Sequence, residues 1–239
     1  MKINILTLFP NMFSGFTGES IIKRAIENGY LEINIIDIRD FASGKHKQCD
    51  DMPFGGGAGM VLKPEPLFSA IESVKSDIVI YTTPQGKRFD QNDAKEFSSY
   101  DEITIIAGHY EGIDERVVET FVTHEISIGD FVLTGGEIPA MVITDAIARL
   151  VPGVIGNTDS YINDSFYNGL LDHPHYTRPA EFRGIKVPEI LMSGHHKNIE
   201  RWRRKESLKR TMLRRPDLLK KIEFDKEDKK ILKEIENER

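Results

Sequence analysis

The chain of 239 residues contains a single cysteine, Cys49. One cysteine excludes an intramolecular disulfide and a cysteine-built zinc site, and makes a reducing cytoplasm the expected compartment. Long apolar runs are also missing. None approaches the roughly 18 residues that a membrane span needs, and the opening Met1-Lys-Ile-Asn-Ile-Leu6 reads as a strand rather than a targeting segment. No membrane partner is expected. There is no overall excess of positive charge either, and a net charge of −6 argues against a uniformly basic nucleic-acid binder. The glycine run Gly55-Gly-Gly-Ala-Gly59 lacks the closing Gly-Lys-Ser/Thr of a phosphate loop, and Met60 breaks the G-x-G-x-x-G register. A lid, or a close backbone contact, is the better expectation for it.

What is present is an ordinary globular composition, 39% hydrophobic and 29% charged, with length for one large or two modest domains. Periodicity predicts strands over 2–9, 31–38, 78–82, 103–107 and 126–128. Helices are predicted over 19–28, 64–74, 90–98, from Asp114 onward, and over 139–150, with Asp90 and Asp114 as caps. The stretches 10–18 and 39–59 carry no clear pattern and read as loops. The alternation implies an α/β domain with a mainly parallel sheet.

Three of the connections share one design. Tyr81-Thr-Thr-Pro-Gln-Gly86, Ala107-Gly-His-Tyr-Glu-Gly112 and Ser127-Ile-Gly-Asp-Phe-Val-Leu-Thr-Gly-Gly-Glu-Ile-Pro139 each follow an apolar strand and combine glycine or proline with a few polar residues. Loops at the carboxyl ends of successive strands are where an open α/β sheet holds its ligand. Glycine backbone there can approach a base edge closely, with Val132 and Leu133 as an apolar floor.

From Val151 the pattern changes. Residues 156–170 read as a linker, and Asp172-His-Pro-His-Tyr-Thr-Arg-Pro179 is held extended by its prolines. His173-Pro-His175 has metal-like spacing but no evident third ligand, so substrate contact or a purely structural role is expected. After Gly194 the chain reads as helical, broken at Pro216. Between Lys197 and Arg215 nine Lys/Arg face two Glu, a local +7, on a helix also carrying Trp202, Leu208, Met212 and Leu213. That imbalance suggests an apolar face docked on the protein and a basic face open to phosphate. The mixed-sign tail from Asp225 reads as a solvated helix.

These segments resemble the bacterial tRNA (guanine-N1)-methyltransferase family, TrmD. The motifs are Asp50-Asp-x-Pro-Phe-Gly-Gly-Gly-x-Gly-Met60, Tyr81-x-x-Pro-Gln-Gly86, Gly108-x-Tyr-Glu-Gly-Ile-Asp-Glu-Arg116, Ile128–Pro139, Asp172-x-Pro-His-Tyr-Thr-Arg-Pro179 and Arg201-Trp-Arg203. They run from Phe9-Pro10 to about Pro216. The resemblance implies a SPOUT-type α/β fold with a deep trefoil knot over 1–155, a flexible linker over 156–170 and a small all-helical domain over 171–239. It implies S-adenosyl-L-methionine as methyl donor, a divalent ion such as Mg2+ with Glu111 as its candidate ligand, and a homodimer with active sites at the interface. The substrate would be the anticodon stem-loop of tRNA, methylated at N1 of the guanosine 3′ to the anticodon, position 37.

Carried onto this chain, the resemblance makes Asp164 the general base and Arg149 the cation beside guanine O6. It makes Pro84, Gly108, Tyr110, Ile128, Gly129, Asp130, Phe131, Val132, Leu133, Gly135 and Gly136 the cofactor site. Ser165, His175, Arg178, His195, Arg201, Arg203 and Arg204 become RNA contacts. His109, Phe131 and Thr134 stand where Arg, Tyr and Ser are more usual. Two rival readings stay open: a silent RNA-binding protein, and a related knotted enzyme acting on ribosomal RNA or a ribose hydroxyl.

Overall fold

The computed structural model describes residues 1–156 and 164–238. The chain divides into two compact units, Met1–Gly156 and Asn157–Arg239. The first is built on a five-stranded, wholly parallel sheet. Its chain order is β1 (Lys2–Thr7), α1 (Ser14–Gly18), α2 (Ser20–Glu27), β2 (Glu32–Asp37), β3 (Asp50–Asp51), β4 (Val61–Leu62), α3 (Pro64–Glu72), β5 (Val79–Arg88), α4 (Gln91–Phe97), β6 (Glu102–Ala107), α5 (Glu115–Phe121), β7 (His124–Ser127) and α6 (Glu137–Ala148). In space the sheet runs β2-β1-β6-β5-β7.

The central strand β6, Glu-Ile-Thr-Ile-Ile-Ala, is almost continuously apolar because both of its faces are covered. Ile106 joins Leu6, Tyr81, Leu67, Ala70 and Val117 in a core under α3 and α5. On the other face Ile103 and Ile105 pack with Ile3, Ile5, Phe97, Ile143 and Ile147 under α4 and α6. Asp90 caps α4 through a full capping box with Asp93, and Asp114 caps α5 by accepting from the Arg116 amide, as the sequence predicts.

Three expected loops are more ordered than their sequences suggest. Residues 10–18 form a 3-10 turn, Pro10–Phe13, running into α1, because Pro10 suits a first helical position and Phe13 buries completely. The 39–59 stretch begins with a 3-10 turn, Ile38–Phe41, and includes β3, which pairs with β4 in an antiparallel hairpin. The 81–86 segment is not a plain loop. It lies within β5, which leaves its ladder after Thr82, rejoins β7 at Lys87, and presses Gly86 against the Glu125–Ile126 peptide.

In the second unit, a hairpin of β8 (Glu181–Phe182) and β9 (Ile185–Lys186) is an element that the helical reading lacks. Arg183 and Gly184 both take positive φ, as a tight two-residue hairpin turn requires. The helices follow as α7 (Glu189–Met192), α8 (His196–Arg214), α9 (Pro216–Leu219) and α10 (Lys226–Asn237). The tail is not a solvated helix. Ile231 and Ile235 of α10 bury fully with Leu170 and Leu208. Leu213, expected on the docked face of α8, is exposed instead.

Residues 157–163 of the expected linker lie outside the described residues. Residues 164–170 form a turn in which the Phe166 amide donates to the Leu170 carbonyl (2.7 Å).

Two predictions test these packings. Cys49 is 3% exposed and burial pushes its thiol pKa up, so a thiol reagent is expected to label it only as the first unit unfolds, read by mass spectrometry across a urea series. In the second unit Arg204 donates both Nε and Nη2 to Asp228 (2.7 Å each) and holds that carboxyl below its ordinary range. A depressed carboxylate contributes stability above its unfolded pKa and loses it as pH falls through the folded one. Asp228→Ala is therefore expected to cost about 2 kcal/mol at neutral pH, between exposed and fully buried pairs. The gap should narrow below about pH 4, as read by chemical denaturation followed at Trp202.

Candidate active site

At the carboxyl ends of β5, β6 and β7 lies a cavity of about 370 Å3, within the usual range for small-molecule sites. Its walls are the three glycine-bearing segments. They touch backbone to backbone: the Gly136 amide donates to the Gly108 carbonyl (2.6 Å), and His109 and Gly135 form an isolated antiparallel bridge. A Cβ on Gly136 would collide with Thr82 Oγ1 and the Gly108 amide, and one on Gly108 would enter the Tyr81 ring. The Thr82 hydroxyl donates to the Ile106 carbonyl (3.1 Å) and tethers the end of β5 to β6. At the third wall the Gly129 amide donates to Ser127 Oγ (3.2 Å), closing a turn that needs positive φ at Gly129.

Polar groups converge beneath this surface. Glu137, 2% exposed, opens α6, where the helix dipole favours a negative charge. Its Oε1 accepts from Thr7 Oγ1 (3.0 Å), and its Oε2 lies 3.6 Å from His109 Nδ1. Glu137 thus links β1 to the 108–112 loop at the start of the helix that follows the third wall. Burial pushes the Tyr81 phenol pKa up, so it remains a neutral hydroxyl between Thr83 and the Ile113 backbone. Tyr110 takes φ +58°, a costly conformation for a non-glycine residue and one found preferentially at ligand sites.

Residues 1–221 match the sequence model of the family described as tRNA (Guanine-1)-methyltransferase TrmD. The chain belongs to this family. It is similar to the tRNA (guanine-N(1)-)-methyltransferase of Fusobacterium nucleatum subsp. nucleatum, 66% identical over 238 residues that span 100% of this chain and 99% of that protein. The same-named proteins of Desulforamulus reducens and Bacillus cereus (strain B4264) are 58% and 55% identical, each over 243 aligned positions. They cover 99% and 100% of this chain and 96% and 100% of their own lengths.

All residues expected at the family's cofactor site line the cavity except Asp130, which is exposed and outside its lining. Tyr81, Thr82, Ser127 and His109 also line it, although the resemblance assigns them no cofactor role. For Tyr81, Thr82 and Ser127 the signal is a polar side chain following the apolar residues of a strand, while His109 stands in the 108–112 loop. Glu111 reaches the cavity too, with its amide donating to the Met60 carbonyl (3.0 Å) and its side chain against Gly59. The glycine run therefore makes a close backbone contact at this wall. Arg149 is the half-buried C-cap of α6, and Asp164 stands half-buried in the other unit.

Among the expected RNA contacts, His175, Arg178, His195 and Arg203 are exposed. Arg201 and Arg204 are engaged within the fold, Arg201 with Glu227 (3.0 Å) and Glu234 (2.5 Å) and Arg204 with Asp228. Ser165 Oγ accepts from the Asp172 amide (2.9 Å), a bond internal to the second unit.

Gly136→Ala is expected to cost about 2 kcal/mol, since a Cβ has only backbone and Thr82 to displace, and to abolish S-adenosylmethionine binding by calorimetry. Gly15→Ala, on a helix with open space around it, should leave binding unchanged and stability equal or higher.

Proposed function

We propose that this chain transfers a methyl group from S-adenosyl-L-methionine to N1 of the guanosine 3′ to the anticodon of tRNA, giving 1-methylguanosine. The observation that carries the reading is the glycine-walled cavity at the sheet's carboxyl edge, in a chain that matches the family from residue 1 to 221.

The residues present suit the donor. Gly108, Gly135 and Gly136 keep side chains out of a space that backbone groups can line, and Leu133 and Ile128 add apolar surface suited to a base. When bound, the donor supplies a methyl group already activated on sulfonium. Guanine N1 carries a proton at neutral pH, so the remaining needs are a base, a cation at O6 and alignment. Asp164 takes the N1 proton, Arg149 stabilises charge developing on O6, and the cavity walls fix the direction of approach. Residues 156–170 act as a linker that sets Asp164 in place when tRNA docks, with exposed His175, Arg178, His195 and Arg203 among the RNA contacts. Glu111 supplies one carboxylate to the cavity, enough for a Mg2+ that keeps most of its waters.

The same reading includes a trefoil knot and a homodimer. Support for the knot, a rare topology, is the family membership and the mutual backbone contacts of the 108–112 and 128–136 segments at the end of β5. Support for the dimer is the apolar set Phe131, Val132, Ile138 and Val142, all exposed, with Val132 at 84%. No helix among the described residues is long and apolar enough to cross a membrane.

The test is to incubate the chain with S-adenosylmethionine and two tRNA transcripts, bearing guanosine or adenosine 3′ to the anticodon. Nucleoside mass spectrometry is expected to find 1-methylguanosine from the first alone, and a methylated ribose or no product would refute the reading. Asp164→Asn is expected to lower kcat by about 100-fold or more while cofactor binding persists. Retention of most activity would remove Asp164 as the base.

A further inference from the structure

We infer that Asp172, His173 and His175 form a divalent-metal site of zinc type in the second unit. Two histidines spaced as His173-Pro-His175 need a third ligand to hold a metal. In space the missing donor is the adjacent residue. Asp172 sits between the imidazoles, with Oδ1 2.6 Å from His173 Nδ1 and Oδ2 2.7 Å from His175 Nε2. One donor atom from each of the three residues lies within 4.8 Å of the others. In a tetrahedral zinc site with bonds of about 2.0–2.1 Å the donors stand roughly 3.3 Å apart, so small side-chain rotations suffice.

The backbone here is fixed before any ion arrives. The Leu171 amide donates to Thr211 Oγ1 (2.9 Å), and its carbonyl accepts from Ser207 Oγ (2.5 Å), bonding both groups to α8. The Asp172 amide donates to Ser165 Oγ (2.9 Å), and Pro174 restricts φ between the two histidines. Asp172 and His173 are half-buried while His175 is exposed, which leaves one side open for a fourth, water ligand. Two imidazoles and one carboxylate are a borderline donor set that favours Zn2+ over Mg2+ or Ca2+. Each neutral imidazole needs only to carry its proton on the nitrogen facing away from Asp172. The charge of Arg203 acts against a cation at His173, and the Asp172 carboxylate offsets it.

The test uses the full untagged chain with Zn2+ by calorimetry, and with Co2+ as a spectroscopic probe of tetrahedral coordination. Neither measurement needs tRNA or S-adenosylmethionine, so its outcome is separate from that of the proposed reaction. Wild type is expected to take up one Zn2+ per chain and to give the intense visible bands of tetrahedral Co2+. His175→Ala, an exposed change that spares the fold, and His173→Ala should each weaken binding by about 100-fold, with circular dichroism checking the fold. The adjacent exposed pair His195 and His196 is the control, and its double alanine variant should bind as wild type does. Equal binding by wild type and His175→Ala, loss of binding in the His195/His196 variant alone, or no uptake by wild type would each overturn the assignment.

Discussion

The first unit depends on one close approach, the Gly136 amide against the Gly108 carbonyl at 2.6 Å. The approach needs glycine at these positions, because a Cβ on Gly136 would meet Thr82 and the Gly108 backbone and one on Gly108 would meet the Tyr81 ring. Much of the rest follows from that contact. The amide of Gly136 is bonded where α6 begins, Glu137 falls beneath the cavity, and its carboxylate reaches both Thr7 of β1 and His109. The cavity is thus bounded by backbone whose position is set by β1, β5, β6 and α6 together.

The second unit depends on charge. Alone, residues 197–215 would carry a local +7 that repels itself. Folded, α10 and its C-cap Glu238 lay Glu227, Asp228, Glu234 and Glu238 along α8, engaging Arg201, Arg204, Lys205 and Lys209. Ile231 and Ile235 supply the apolar contact beneath these pairs. Most of the pairs are exposed and individually weak, so their main effect is on which cations remain available to a polyanion. Arg203 and Arg214 stay exposed while Arg201 and Arg204 are held by α10. The basic face is therefore narrower than the count of Lys and Arg implies.

The cluster at Asp172 lies in the same unit and rests on the same helix. α8 anchors Leu171 through Ser207 and Thr211 on its inner side, and carries Arg203, whose charge acts on His173. One helix thus presents cations outward and fixes three metal-type donors in an extended segment. Such a cluster would join anion recognition and cation binding in one small unit.

Local patterns in the chain determined the α/β alternation, the parallel sheet, the caps at Asp90 and Asp114, the glycine-bearing edge that holds the cavity, and the family. Each rests on short-range periodicity or on a run of residues legible in one dimension. Only the tertiary structure decided the rest. Tyr81, Thr82, His109 and Ser127 line the cavity because strands distant in sequence end side by side. Arg201 and Arg204 face acidic partners 24 to 33 residues away along the chain, and the Asp172 carboxylate reaches the rings of both His173 and His175. Periodicity reports which face of an element is buried, and it carries no information about which other element covers that face. For that reason the tail reads as a solvated helix in the sequence, while in the structure Ile231 and Ile235 dock it on α8.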